Sequence, residues 1–178
     1  GTVTCETDDT GSGSFWSLTG NSGSNPSTNY LGTSDNQALE LRVNAVRALR
    51  LEPDGTSPNL IGGYSGNNVT AGVYGAAIGG GGESGSANRV TDAYGTVGGG
   101  SSNRAGDDAG AATDAPHASV GGGYANVASG MESTVGGGSM NNASAHATTV
   151  GGGTQNSASD VATTVGGGAE NAASSDYA

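Results

Sequence analysis

Lysine is absent from this chain, and its five basic residues, all arginine, face sixteen acidic ones for a net charge of -11. Such a balance repels nucleic acids and anionic membranes, so neither is expected as a partner. Cysteine is nearly absent as well: Cys5 stands alone, which excludes any intrachain disulfide and leaves an intermolecular bond or a buried thiol. Large apolar side chains are scarce, with Leu, Ile, Val and Phe together supplying 23 of 178 residues. No apolar run approaches the roughly 20 residues that span a bilayer. Composition of this kind, rich in glycine and acid, is that of a disordered chain.

Recognisable catalytic spacings are also missing. His117 and His146 have no cysteine or carboxylate at a metal-ligand interval. The glycine runs are not followed by the Gly-Lys-Ser/Thr of a phosphate loop, and no enzyme activity is expected. Two acidic groups, Glu6 with Asp8 and Asp9, and Asp107 with Asp108, have the oxygen chemistry that calcium accepts. A solvated acidic loop is the reading preferred for both, and no cofactor is assigned. Asn68-Val69-Thr70 and Asn142-Ala143-Ser144 match the glycosylation acceptor pattern, which arises often by chance in sequence this rich in Asn, Ser and Thr.

What the chain does have is a repeat. Val120, Val135, Val150 and Val165 stand fifteen residues apart, each followed by three glycines. An asparagine follows at the sixth place (Asn126, Asn141, Asn156, Asn171) and an alanine at the eighth (Ala128, Ala143, Ala158, Ala173). Val97 leads an earlier copy with Asn103 and Ala105, Ile61 leads another, and Ile78 a weaker one. A disordered linker has no reason to hold this register, whereas a stack of coils does. The expected fold is therefore all-β, a parallel β-roll or solenoid of about fifteen-residue coils over 61–178. Its interior should be lined by the valines, its corners marked by glycine, and the asparagines turned inward to hydrogen-bond backbone.

Residues 1–60 differ and carry nearly all the bulky side chains. Leu39, Leu41 and Val43 alternate with Glu40 and Arg42, and Leu49 and Leu51 alternate with Arg50 and Glu52. This predicts a hairpin over 39–52 with a turn at Asn44-Ala45. The hairpin is expected to supply the best apolar packing and a cap for the first coil. Phe15 and Trp16 read as core or interface anchors. One large apolar residue per coil cannot offset roughly 1–2 kcal/mol of backbone entropy per residue, so oligomerisation is expected. The period is broken within 82–94 and 106–119, and insertions in solenoids usually share one, often binding, face.

The run from Thr134-Val135-Gly136 through Asn141 and Ala143 to Thr149-Val150 resembles the head repeats of trimeric autotransporter adhesins, whose coil is one residue shorter. The segments 15–21, 29–36 and 39–44 are similar to what precedes such repeats in bacterial surface fibres and phage tail-fibre-like proteins. The resemblance implies a homotrimer whose valine-lined faces, at Val97, Val120, Val135, Val150 and Val165, pack around a threefold axis. It further implies a structural or adhesive subunit of an extracellular fibre on a bacterial cell surface, with a host surface or matrix as the external partner. A phage tail-fibre shaft is the alternative. Ice binding is a minor one, suggested by the recurring Thr96, Thr134, Thr149 and Thr164. Gly1 in place of Met fits a mature product whose leader has been removed, and equally a fragment of a longer chain. Tyr177-Ala178 followed by Gly1-Thr2-Val3 would read like the internal Tyr94-Gly95-Thr96-Val97. Head-to-tail strand addition into a filament is therefore expected, with Cys5 near the joint; the competing explanation is that further repeats continue the rod covalently.

Overall fold

The computed structural model describes Gly20 and residues 22–175. Two units separate within the chain, Gly1–Ser34 and Asp35–Ala178. In the first, Asn25 organises a turn: its backbone N–H donates to Asn29 Oδ1 and its own Oδ1 accepts from the Ser27 N–H, both at 3.0 Å.

The second unit is a parallel β-solenoid without a helix among the described residues. Its short strands alternate between two sheets. One sheet takes β3 (Asn59–Gly62), β5 (Ala77–Ile78), β7 (Thr96–Val97), β9 (Ser119–Val120), β11 (Thr134–Val135), β13 (Thr149–Val150) and β15 (Thr164–Val165). The other takes β4 (Asn68–Val69), β6 (Arg89–Val90), β8 (Arg104–Ala105), β10 (Val127–Ala128), β12 (Asn142–Ala143), β14 (Ser157–Ala158) and β16 (Ala172–Ala173). Register is kept without slippage, Val120 over Val135 over Val150 over Val165 and Ala105 over Ala128 over Ala143 over Ala158. The side-chain period of 2 explains the choice of residues: in each two-residue strand the second points inward and the first outward.

Val97, Val120, Val135 and Val150 are at most 1% exposed, and Val165 only 6%. They are enclosed by the two sheets of a single chain. The valine face that the resemblance offers to a threefold axis is thus already closed, and packing of chains against one another has to use another surface. A coil this narrow is filled by one aliphatic residue, one alanine and small polar side chains at the corner before the valine. Of these, Thr148 and Thr163 donate to the Ala145 and Asp160 carbonyls at 2.8 and 2.7 Å, whereas the buried Ser133 hydroxyl has no partner among the described residues.

The asparagine column is the second internal row. Asn141 is 1% exposed. Its Nδ2 donates to the carbonyls of Gly137 in its own coil and Gly153 in the next, both at 2.9 Å. Its Oδ1 accepts from the backbone N–H of Asn156 at 3.0 Å and from Asn156 Nδ2 at 3.1 Å. Asn103, Asn126 and Asn156 repeat the pattern with their neighbours, and Asn171 in the last described coil keeps its donations to Asn156 Oδ1 and the Gly167 carbonyl. A buried amide in apolar surroundings would be costly; here each amide replaces the turn's missing backbone partners.

Glycine marks only some of the bends. Gly136 is needed because a Cβ would run into the Gly151 carbonyl of the next coil, and Gly138 because it lies at φ 89° and against the Gly153 carbonyl. Two further corner positions per coil are left-handed without glycine. Tyr94, His117, Glu132, Ala147 and Ala162, three residues before each valine, have φ between 56° and 64°. Ser102, Ala125, Met140, Gln155 and Glu170, five residues after it, have φ between 52° and 58°. Their N–H groups reach back a coil, Ala147 to Met131 O at 2.9 Å and Gln155 to Ser139 O at 2.9 Å.

β1 (Leu39–Val43) and β2 (Val46–Glu52) pair antiparallel through Asn44 and Ala45, both at positive φ, and β2 continues antiparallel onto β3. Their packing reverses the expectation: Glu40, Arg47, Arg50 and Glu52 are half-buried, whereas Leu41, Val43, Val46 and Leu51 are exposed. Arg47 explains the orientation, because its Nη2 donates to the carbonyls of Ser65 and Asn67 at 2.7 and 2.9 Å and so covers the first coil. The buried aliphatic core begins at Ile61 instead.

The insertions do not share a face. The extra residues near 82–87 lengthen the turn from β5 to β6, and those at 107–114 lengthen the opposite turn, from β8 to β9.

Candidate functional site

The longer insertion gathers the densest set of titratable groups among the described residues. Register explains it: Val90 pairs with Ala105, so Asp92 and Asp107, two residues further on, come to adjacent coils. The loop then returns Asp114 to the same place. Single carboxylate oxygens of Asp92, Asp107 and Asp114 lie within 4.8 Å of one another.

Asp92 is 1% exposed and anchors the loop. Its Oδ2 accepts from the Asp107 N–H at 3.0 Å and from Thr91 Oγ1 at 3.1 Å, and its Oδ1 accepts from the Ala115 N–H at 3.3 Å. Gly106 admits this approach, since a Cβ there would collide with both Thr91 and Asp92. Burial pushes the Asp92 carboxyl above the usual range, with the Asp114 carboxyl adding to the rise and the N–H donors opposing it.

Asp108, paired in sequence with Asp107, points elsewhere. It meets Arg89 at 2.6 Å and Arg104 at 3.6 Å, and its hydrogen bond to Arg89 holds its carboxyl below the usual range. Beside this ion pair a shallow cleft of about 200 Å³ opens between Thr70, Thr91, Asp108 and Gly110.

As a donor set the three carboxylates are oxygen-only, which matches a hard cation such as calcium rather than zinc. One oxygen from each covers at most half of the roughly six to eight that calcium takes, and Asp92 already spends both of its oxygens on loop donors. Asp107 was legible in the sequence; Asp92 and Asp114 were not singled out, although Asp92 and Asp107 stand one coil length, fifteen residues, apart.

The histidines are placed on coil corners. His117 stacks on Tyr94 with ring centroids 4.9 Å apart, and His146 Nε2 lies 3.5 Å from Glu132. Neither joins the carboxylate group. Gly1, Thr2, Val3, Cys5 and Tyr177, together with Glu6, Asp8, Asp9, Phe15 and Trp16, lie outside the described residues. No described helix is long and apolar enough to cross a membrane. A scan against protein-family models finds no match, and a search of curated proteins finds none either.

Proposed function

We propose that this chain is a non-enzymatic structural or adhesive subunit of an extracellular bacterial surface fibre, in which copies associate as a homotrimer and join head to tail. The observation that carries the reading is the unbroken inter-coil bonding from Asn67 to Asn171, which commits the interior polar groups to stacking. Repeated coils of this kind supply length and stiffness in one direction, which is what a fibre element requires. The outer surface then remains for contact with other copies and with a host surface or matrix. Electron microscopy of the native assembly, combined with light scattering, tests this. Trimeric rods joined end to end are expected, and a monodisperse monomer at micromolar concentration would count against it.

A second reading, ice binding, is favoured by one feature: Thr96, Ser119, Thr134, Thr149 and Thr164 stack in register on the outer face of one sheet. Thermal hysteresis in dilute solution tests it, and its absence would dismiss this reading.

A further inference from the structure

We infer that copies of this chain meet through the outward face of β1, β2 and β3, an aliphatic patch, rather than through the valine rows. The inference rests on the self-association proposed above and names the surface responsible for it.

Strand pairing builds the patch. Leu51 sits between Leu39 and Leu60, Leu41 lies opposite Leu49, and Val43 lies opposite Val46. All therefore share one face. Val43 is 71% exposed, Val46 57% and Leu41 46%, with Leu51 and Leu60 also exposed. Leu39 and Leu49 are half-buried. Five large aliphatic side chains exposed side by side on one face form the kind of contiguous apolar area that marks an interaction site on a soluble protein.

The face cannot be turned inward. Its reverse side carries Arg47, bonded to the Ser65 and Asn67 carbonyls, and the Glu40, Arg50 and Glu52 ion pairs. Flipping the strands would leave those carbonyls uncovered and place leucines over the polar opening of the first coil. The aliphatic side is thus held toward solvent by the bonding of the charged side.

Charge selects the occupant. Two copies each of net charge -11 repel over most of their surfaces. This patch carries no charged side chain, because every Arg and Glu of β1 and β2 that alternates with it points to the other face. The remaining exposed large apolar residues of the solenoid, such as Tyr124, Met131 and Val161, are dispersed over coil corners. Among the described residues of the solenoid unit, the same patch on another copy is consequently the surface that matches it in apolarity and neutrality. Turned toward a common threefold axis, three copies of the patch would bury these aliphatic side chains against one another, which is the closure that a homotrimer requires.

The test uses the full chain in sedimentation velocity over a micromolar range. Wild type is expected to be oligomeric, and the Leu41→Asp/Val43→Asp variant monomeric with an unchanged far-UV circular dichroism spectrum. Should that variant fold poorly, Val43→Thr/Val46→Thr, which keeps shape and strand propensity, is expected to raise the dissociation constant roughly tenfold or more. Thr134→Asp/Thr149→Asp, on the outer face of later coils, is expected to leave the mass of the assembly at the wild-type value. If the folded patch variants keep the wild-type mass, the patch is overturned while self-association stands. If wild type is itself monomeric throughout, both the patch and the proposed self-association fall.

Discussion

The regular coils and the antiparallel strands ahead of them use the same alternation of apolar and polar residues in opposite senses. In β11 the aliphatic Val135 is fully buried and Thr134 faces out, whereas in β1 Val43 is 71% exposed and Glu40 is half-buried. Periodicity therefore identifies two faces without saying which is inside. That is decided by what the strand covers: a closed coil encloses its aliphatic row, while a strand laid over an open coil end meets bare carbonyls, and an arginine satisfies those where a leucine cannot.

The sharpest way to break this comparison is to place the same charge in both regions. Val135→Asp would bury a carboxylate with no partner, and its expected cost is on the order of 3–5 kcal/mol, enough to disrupt the stack around that coil. Val43→Asp should leave the thermal midpoint within about 2 °C of wild type while affecting association. Thermal melts of both variants, followed by circular dichroism under dilute conditions, check this. Equal destabilisation would mean that the β1 face is packed within the chain.

Next in size is the polar row that lets so thin a core persist. Asn141→Ala removes donors to Gly137 and Gly153 and an acceptor for the Asn156 backbone. Leaving such buried groups unsatisfied costs about 1–3 kcal/mol each before any relaxation or water entry. An expected loss of roughly 2–4 kcal/mol follows, measurable by denaturant unfolding. Asn142→Ala, one residue on and pointing to the other side, should change stability by less than about 0.5 kcal/mol. A small effect at both positions would mean that water replaces the amide.

The repeat made the valine, asparagine and alanine rows readable, because an inward position recurs with the coil and tolerates few residue types. Corner chemistry was less readable. The glycine run reads as a bend with a second backbone close by, and Gly138 and Gly136 fit that, yet further left-handed corners hold residues as different as Glu132, Ala147 and Ala162. Nothing in their side chains signals the conformation; the N–H bond back to the preceding coil imposes it. The carboxylate group was equally hidden, since Asp114 reaches Asp92 only through the path of an irregular insertion.

That insertion gives a pH comparison within one loop. Asp92 has a folded-state pKa above its unfolded value. Over the window between the two, the folded state holds more protons, so this contribution is fully present below the ordinary aspartate range near pH 3.9 and is lost as pH rises through the raised value. Asp108 has the opposite sign: held low by Arg89, it contributes above the ordinary range and loses that contribution as pH falls through its lower folded value. Asp92→Asn should flatten the decline on the higher-pH side, and Asp108→Asn the decline on the acid side, in thermal midpoints recorded from pH 2 to 8. The size of each effect is limited by solvent around the loop. Unchanged slopes in Asp92→Asn would mean that its carboxyl titrates as in the unfolded chain.

The smallest effect concerns the corners. Ala147 occupies the left-handed region at φ 56°, where a Cβ costs roughly 1–2 kcal/mol. Replacing it with glycine removes that strain but adds about 0.5–1 kcal/mol of backbone entropy lost on folding. The expected net result for Ala147→Gly is a gain of up to about 1 kcal/mol. Ala143→Gly is the same chemical change at a buried position of β12 in the same coil. There no left-handed strain exists to relieve, while an inward methyl is lost and glycine entropy is added, for an expected loss of about 1–2 kcal/mol. Paired denaturant titrations should therefore move in opposite directions. Losses of equal size at both sites would show that the corner conformation carries no strain for alanine, and that the bond from its N–H to Met131 O holds the turn at no conformational cost.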